Sequence, residues 1–448
     1  MSFRSTEALR WGDTYAWLRR ERLLTHNLIV GGGTIAAGLL GIAFQVLVSH
    51  RLSPIDYGGV FAVVTLITFM GLPASALTLL MARETSRDRA RGSRADSAAL
   101  LHAGNRALLL VGLALAAIFV LASPLLASVF TIPITLLWAA AAGMPFGLAL
   151  PLLLGAFQGE QQFLAFALLA TSQAGLKLFA ALALAIVYGP LGIIAGISLA
   201  TVLIYLVARW KLRRKLSIKP RLPWIRPAAT YLAMVVPSMV ALAVLLSADV
   251  LVVKHFFAAQ VAGEYAAVAA IGRAIFWGAT AVATVLFPKV IFSESQGRSG
   301  SSIISASLGL VGLGGLAGFG LLLFGSTWLL TAFAGGAYAE AAVYLPSYAV
   351  GMTLLGGVAV LIATHQSRAR PGFLAVLLPL TLLEPGLLLA FHGSVTQVVQ
   401  VMDISIAAIV IALGAMYGWQ EYFRVGVNPD VETLGTRSSP IAQPQVNR

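Results

Sequence analysis

The chain has 448 residues, of which 59% are hydrophobic and only 10% charged, with a formal net charge of +13 and no cysteine. Soluble domains carry roughly 25% charged residues, so a chain this apolar lacks the polar surface to face water and reads as a membrane protein. Disulfides, thiol catalysis and thiolate metal sites are excluded, and the six scattered histidines form no HxxxH or HxH pair for a transition metal.

Residues 1–26 are polar and basic, with Arg4, Arg10, Arg19, Arg20 and Arg22. Trp11, Tyr15 and Leu18 would share one helix face, which leaves two readings: an amphipathic segment on the cytoplasmic membrane surface, or a frayed tail. The apolar run that follows is too long for a signal-peptide core, and no A-x-A site closes it. A spanning helix needs about 20 apolar residues. Twelve such runs follow. The first six fall near Leu28–Ser49, Tyr57–Met81, Ala98–Ala122, Thr131–Phe157, Phe163–Val187 and Leu191–Ala208. The second six fall near Ala228–Val253, Tyr265–Phe292, Ile303–Phe324, Ala341–Thr364, Gly372–Phe391 and Val398–Tyr417.

The expected fold class is all-α integral membrane, with about 12 transmembrane helices in two pseudo-symmetric six-helix bundles. The divisions are a basic segment (1–26), a first bundle (27–208), a basic linker (209–227), a second bundle (228–420) and a polar tail (421–448) that reads as disordered. The bases test the count. Arg83, Arg87, Arg89, Arg91 and Arg94 fall between spans two and three, and Arg209 to Arg226 carry eight bases and no acid. Lys289, Arg298, Arg368 and Arg370 land on the same side, and Arg51 and Lys254 are the exceptions opposite. This is the positive-inside pattern, with both termini in the cytoplasm, rather than a nucleic-acid surface. The linker needs no role beyond anchoring topology against anionic lipid.

Helix breakers are frequent: Pro73, Pro145, Pro151, Pro237, Pro379 and Pro385 lie within spans, and glycines crowd span nine. Bent, closely packed helices suit a protein that rocks between shapes, although Gly and Pro are also simply commoner in membrane helices. Intramembrane charge is costly, so the ionisable residues there are the functional candidates. Lys177 lies deepest among the bases and needs either an acid partner such as Glu384 or an anionic cargo group. Asp249 reads as a titrating acid coupled to protons or sodium, or as an interfacial acid reaching water, and Lys254 as a base snorkelling outward. Arg273 could grip phosphate or pair with another helix, Glu384 beside Pro385 could carry a proton or pair with a base, and Asp403 reads as structural. No P-loop, GxSxG elbow or HExxH is present and the loops opposite the termini are short, so no enzyme is expected.

A repeat links the halves. Shifting Phe44–Ala62 by 205 positions places His50 on His255, Gly58 on Gly263 and Ala62 on Ala267 without a gap, and puts Asp249 where the first copy has Phe44. Pro54, Gly58 and Gly263 are thereby candidates for a hinge at the external turns.

Four local patterns resemble one superfamily. They are Leu52-Ser53-Pro54 with Tyr57-Gly58; Gln158-Gly159 with Gln162-Phe163, then Lys177; Asp249 followed by Gly263-x-Tyr265; and Phe287-Pro288-Lys289. With the twelve spans they resemble the multidrug, oligosaccharidyl-lipid and polysaccharide exporter superfamily, and within it the polysaccharide (O-antigen-type) flippases, over residues 27–420. Ser53 stands where that first turn usually has Gly, and Ala258-Ala259 replaces an expected Gly-Pro.

The resemblance implies two bundles around a central cavity that opens alternately to each side. It implies a flippase of the bacterial inner membrane, moving undecaprenyl-diphosphate-linked oligosaccharide outward for surface polysaccharide biosynthesis. Lys177 and Arg273 would hold the pyrophosphate, and Asp249 or Glu384 would carry a proton or sodium ion, with no cofactor. Its partners would be the lipid-linked oligosaccharide, membrane lipids, and a polysaccharide polymerase with glycosyltransferases; nucleic acid is not among them. Two other readings stay open: a multidrug or small-metabolite antiporter of the same fold, and a non-transporting component of a polymerase complex. The base in the first half, where multidrug exporters favour acids, points to an anionic cargo.

Overall fold

The computed structural model describes residues 23–92, 95–216, 226–295, 301–368 and 371–426. The expectations for residues 1–22 of the N-terminal segment, 217–225 of the linker and 427–448 of the tail fall outside them. Regular structure among the described residues is all helical. The first half runs α1 (Leu23–Arg51), α2 (Pro54–Ala90), α3 (Ala95–Phe130), α4 (Ile134–Gly159), α5 (Phe163–Tyr188) and α6 (Pro190–Lys211), then a short turn of helix at Arg213–Leu216. The second runs α7 (Arg226–Leu245) and its continuation Ala248–Phe256, α8 (Ala259–Ser295), α9 (Ser301–Ala334), a 3-10 segment Gly336–Tyr344, α10 (Leu345–Ser367), α11 (Leu374–Ala390) and α12 (Val395–Gly426). Twelve stretches are long and apolar enough to cross a membrane, in agreement with the expected count.

Two features depart from the expected spans. First, α2 runs to Ala90 and α3 starts at Ala95, so Arg83, Arg87 and Arg89 lie on helix rather than in a loop. The apolar run marks where hydrocarbon ends, but a helix continues past it while charged residues face water. Second, span seven is broken at Leu246-Ser247. No proline stands at the break, and apolar patterning carries no sign of it.

The halves repeat each other in packing. In the first, α1 packs on α5, α2 on α4, α3 on α4, α4 on α6 and α5 on α6. In the second, α7 packs on α11, α8 on α10, α9 on α10, α10 on α12 and α11 on α12, the same set advanced by six helices. Small residues make the close approaches: a Cβ on Gly112 would run into Pro145, and one on Gly155 into the Thr78 carbonyl. Large apolar side chains such as Leu121, Phe324 and Ile411 point outward, as a lipid-facing surface requires, and Tyr188, Trp210, Trp419 and Tyr422 lie exposed at helix ends, where aromatic belts form.

The halves meet unevenly. Helix α2 packs on both α7 and α8, but α8 finds no comparable packing on α1. Accordingly 67% of the core window of span seven is buried, against 6% for span one. The near face carries the start of α1 and the end of α12; the far face carries the turns between α1 and α2 and between spans seven and eight. At the near face each half ties its fourth and sixth helices with an ion pair. Glu160, after α4, pairs with Lys215, and its carbonyl accepts from Arg89. Arg368, after α10, pairs with Glu421 of α12 at 2.8 Å. Glu160 thus anchors the beginning of the basic linker.

Candidate functional site

The polar centre of the second bundle is built around the break in span seven. Unwinding at Leu246-Ser247 frees the Leu246 carbonyl and starts a new helix with Asp249 in its first turn. Asp249 is completely buried. Its Oδ2 accepts hydrogen bonds from the hydroxyls of Tyr265 (α8, 2.9 Å) and Tyr348 (α10, 3.0 Å). Arg273 of α8 approaches Oδ1 to 3.9 Å, near enough for charge attraction but not for a hydrogen bond. The guanidinium gives Nη2–H to the Leu246 carbonyl at 2.5 Å and Nη1–H to Thr65 Oγ1 of α2 at 3.1 Å, and lies 5.0 Å from the Phe61 ring centroid. Glu384 of α11 is also fully buried, with Asp249 as an electrostatic neighbour.

Several buried oxygens here make no hydrogen bond: Ser247 Oγ, Asp249 Oδ1, Thr381 Oγ1 and both oxygens of Glu384. Thr381 and Glu384 are three residues apart on α11 and share a face. Burying such groups unpaired is expensive. An all-oxygen set with carboxylates suits a hard cation or a proton, not a soft transition metal. No cluster of three or more His, Cys, Asp or Glu occurs among the described residues.

Lys177 stands apart, in the first bundle. Its ammonium lies 4.5 Å from the centroid of Phe44, and among the described residues no carboxylate comes within ion-pair distance. Pairing with Glu384 is thereby excluded in this conformation. The repeat explains the contrast. The α1/α5 seam carries Phe44 and Lys177; the corresponding α7/α11 seam carries Asp249 and Glu384. One fold position thus holds a base in one half and two acids in the other.

Pro54, Gly58 and Gly263 come together where α2 crosses α8. A Cβ on Gly263 would fall on the Pro54 carbonyl, and one on Gly58 would lie 2.9 Å from the Gly263 Cα. The two repeat-related glycines therefore face each other between the halves. Ser53 caps α2, its Oγ accepting from Asp56 N–H at 3.2 Å, which gives a physical use for the residue that departs from the usual Gly. Further contacts close the far face between the halves. The Tyr338 hydroxyl sits 3.2 Å from the carbonyls of both Ser49 and Leu52, Ser49 Oγ donates to the Phe333 carbonyl at 3.0 Å, and His255 Nδ1 lies 2.6 Å from the Val129 carbonyl. Replacing Tyr338 with Phe removes one such tie and keeps the ring packed edge-on against Tyr57. Cysteine labelling at far-face positions is expected to quicken by severalfold in this variant, with melting temperature nearly unchanged.

Two expectations are corrected. Asp249 is no interfacial acid in water, because α8, α10 and α11 cover it. Lys254 does not snorkel outward: it is only 3% exposed, on the inner side of the continued helix. Sequence reasoning passed over Tyr348, Thr65, Phe61 and the Leu246 carbonyl. Only Tyr265 had a signal, through its motif with Gly263.

No family model matches the chain, and no curated protein matches it by sequence. Solved structures do match. An inward-facing multidrug resistance MATE family transporter of the MOP superfamily is similar with a TM-score of 0.70 at 13% identity, covering 88% of this chain and 96% of that one. Lipid II flippase MurJ in an inward closed conformation gives 0.68 at 15% identity, covering 92% and 94%. A MOP superfamily transporter from Pyrococcus furiosus Vc1, described by the reverse polarity of its binding pocket, gives 0.54 at 14% identity, covering 89% and 94%. The chain therefore has the two-lobed, twelve-span fold of MOP-superfamily transporters.

Proposed function

We propose that this protein is a flippase of the cytoplasmic membrane that moves a polyprenyl-diphosphate-linked oligosaccharide, of the undecaprenyl type, outward by alternating access. A cation at Asp249 and Glu384 couples the cycle. The observation that carries the reading is Lys177, a half-buried ammonium with an aromatic neighbour and no acid within ion-pair distance. An unpaired intramembrane cation is stabilised by an anionic cargo group and would repel a cationic drug. The uneven seam supports the same reading: with α1 largely exposed and α8 not closed against it, a lipid tail can stay in the bilayer while its headgroup reaches Lys177. The lipid II flippase among the similar structures moves a lipid-linked cargo. The positive-inside pattern supports a cytoplasmic near face. Arg273 is engaged by Asp249, Thr65 and Leu246, so it reaches a pyrophosphate only after leaving them.

The test is Lys177→Ala. Flipping of a fluorescent polyprenyl-diphosphate sugar in proteoliposomes is expected to fall at least tenfold, with Lys177→Arg retaining part of it and protein yield unchanged. Undiminished flipping in Lys177→Ala would sink the assignment. The similarity to a multidrug transporter favours a second reading, a drug or small-metabolite antiporter. Drug sensitivity that changes with expression, without any flipping, would select it.

A further inference from the structure

Arg273 joins the buried carboxylate Asp249 of the second bundle to α2, a membrane-embedded helix of the first. Its contacts divide between the halves. Asp249 and the Leu246 carbonyl belong to the second bundle; Thr65 and Phe61 belong to α2 of the first. Thr65 is fully buried, so the bond to it is shielded from water. Asp249 lies beside the guanidinium and has Glu384 as its electrostatic neighbour, so the three groups carry a formal charge of minus one when ionised, which leaves room for one positive charge between the two carboxylates. Asp249 Oδ1 and both Glu384 oxygens accept no hydrogen bond and are free to take it.

We infer that Arg273 is the positioning residue through which cation binding at Asp249 and Glu384 opens the far face. This rests on the reading of those two acids as the coupling site. In the closed form the charge of Asp249 holds the guanidinium where Thr65 and Phe61 can bind it. A cation held between Asp249 and Glu384 draws the charge of Asp249 away from the guanidinium, and a buried arginine whose counter-charge is shared in this way is costly to keep in place. The arginine then leaves α2, and the seam between α2 and α8 loses its only charged tie among the described residues. The coupling is reciprocal: separating the halves must change cation affinity by the same factor. The departing guanidinium also becomes available to an anionic cargo.

Because the chain has no cysteine, two can be introduced for spin labels, Leu125→Cys on α3 and Leu389→Cys on α11, both lipid-exposed near the far face. Distances are read by electron–electron double resonance in full-length protein in nanodiscs. Sodium replaces choline at fixed pH in one arm, and pH is lowered in choline in the other. The wild-type background is expected to shift to longer distances with one of the two cations. Arg273→Gln is expected to lose that shift while still binding the cation, followed by intrinsic tryptophan fluorescence. Thr65→Val, which removes only the acceptor on α2, is expected to show the longer distance already in choline. Arg273→Gln and Thr65→Val both responding like wild type would overturn the inference and leave the coupling site standing. A wild-type protein that neither binds nor responds to either cation would overturn the coupling site and the inference together.

Discussion

Replacing Gly263 with valine is expected to reduce the proposed flipping more than tenfold. The Cβ position is already taken by the Pro54 carbonyl, so even alanine forces α2 and α8 apart. Overpacking of this kind typically costs about 1–3 kcal/mol, enough to move a closed-to-open equilibrium by roughly five- to 150-fold. The lost state is the one with the far face closed. Flipping in proteoliposomes is expected to fall more than tenfold, while far-face cysteines become reactive at all times. Gly58→Ala is expected to be milder, since its Cβ would lie 2.9 Å from the Gly263 Cα rather than on top of the Pro54 carbonyl, although the α8 backbone must still move. Equal, near-wild-type flipping in both variants would show that the crossing is not a moving contact.

Asp249→Ala is expected to be the most destabilising single change in the second bundle. It orphans two tyrosine hydroxyls and strips Arg273 of its counter-charge. Removing one partner of a buried pair costs about 3–5 kcal/mol. Detergent-solubilised protein should melt many degrees lower, read by loss of the monodisperse peak after heating. Adding Arg273→Met should restore much of the melting temperature without restoring flipping. Asp249→Asn keeps an acceptor for both tyrosines but not the counter-charge of Arg273, so it should melt between wild type and Asp249→Ala and lose the response to cation. If Asp249→Ala melts as wild type does, the charge pairing is not structural.

Much of the frame was legible in the chain itself. Twelve spans follow from hydrocarbon thickness and the cost of burying an unpaired peptide group, which any apolar run of that length reports. The repeat was legible in His50 and His255, Gly58 and Gly263, and the structure places both glycines at one crossing. The intramembrane charges were visible as exceptions to an apolar background. Their partners were not. Lys177 and Glu384 looked like a natural pair because each lacked one nearby in sequence, yet they belong to equivalent seams of opposite halves. The ends of α2 and α3 were missed because a helix continues beyond the apolar core as long as its backbone can.

Sequence alone determined the solvent, the number of spans, the two-fold repeat and the identity of the costly residues. These depend on local apolarity and spacing, which a single chain carries openly. Tertiary structure decided that Asp249 is held by Tyr265, Tyr348 and Arg273, that Arg273 also reaches Thr65 in the other half, and that Lys177 keeps no acid. These contacts join residues from about 16 to 208 positions apart. They follow from which helix faces meet, and above all from the break at Leu246-Ser247, which turns an ordinary span into a carbonyl and a carboxylate aimed at one arginine.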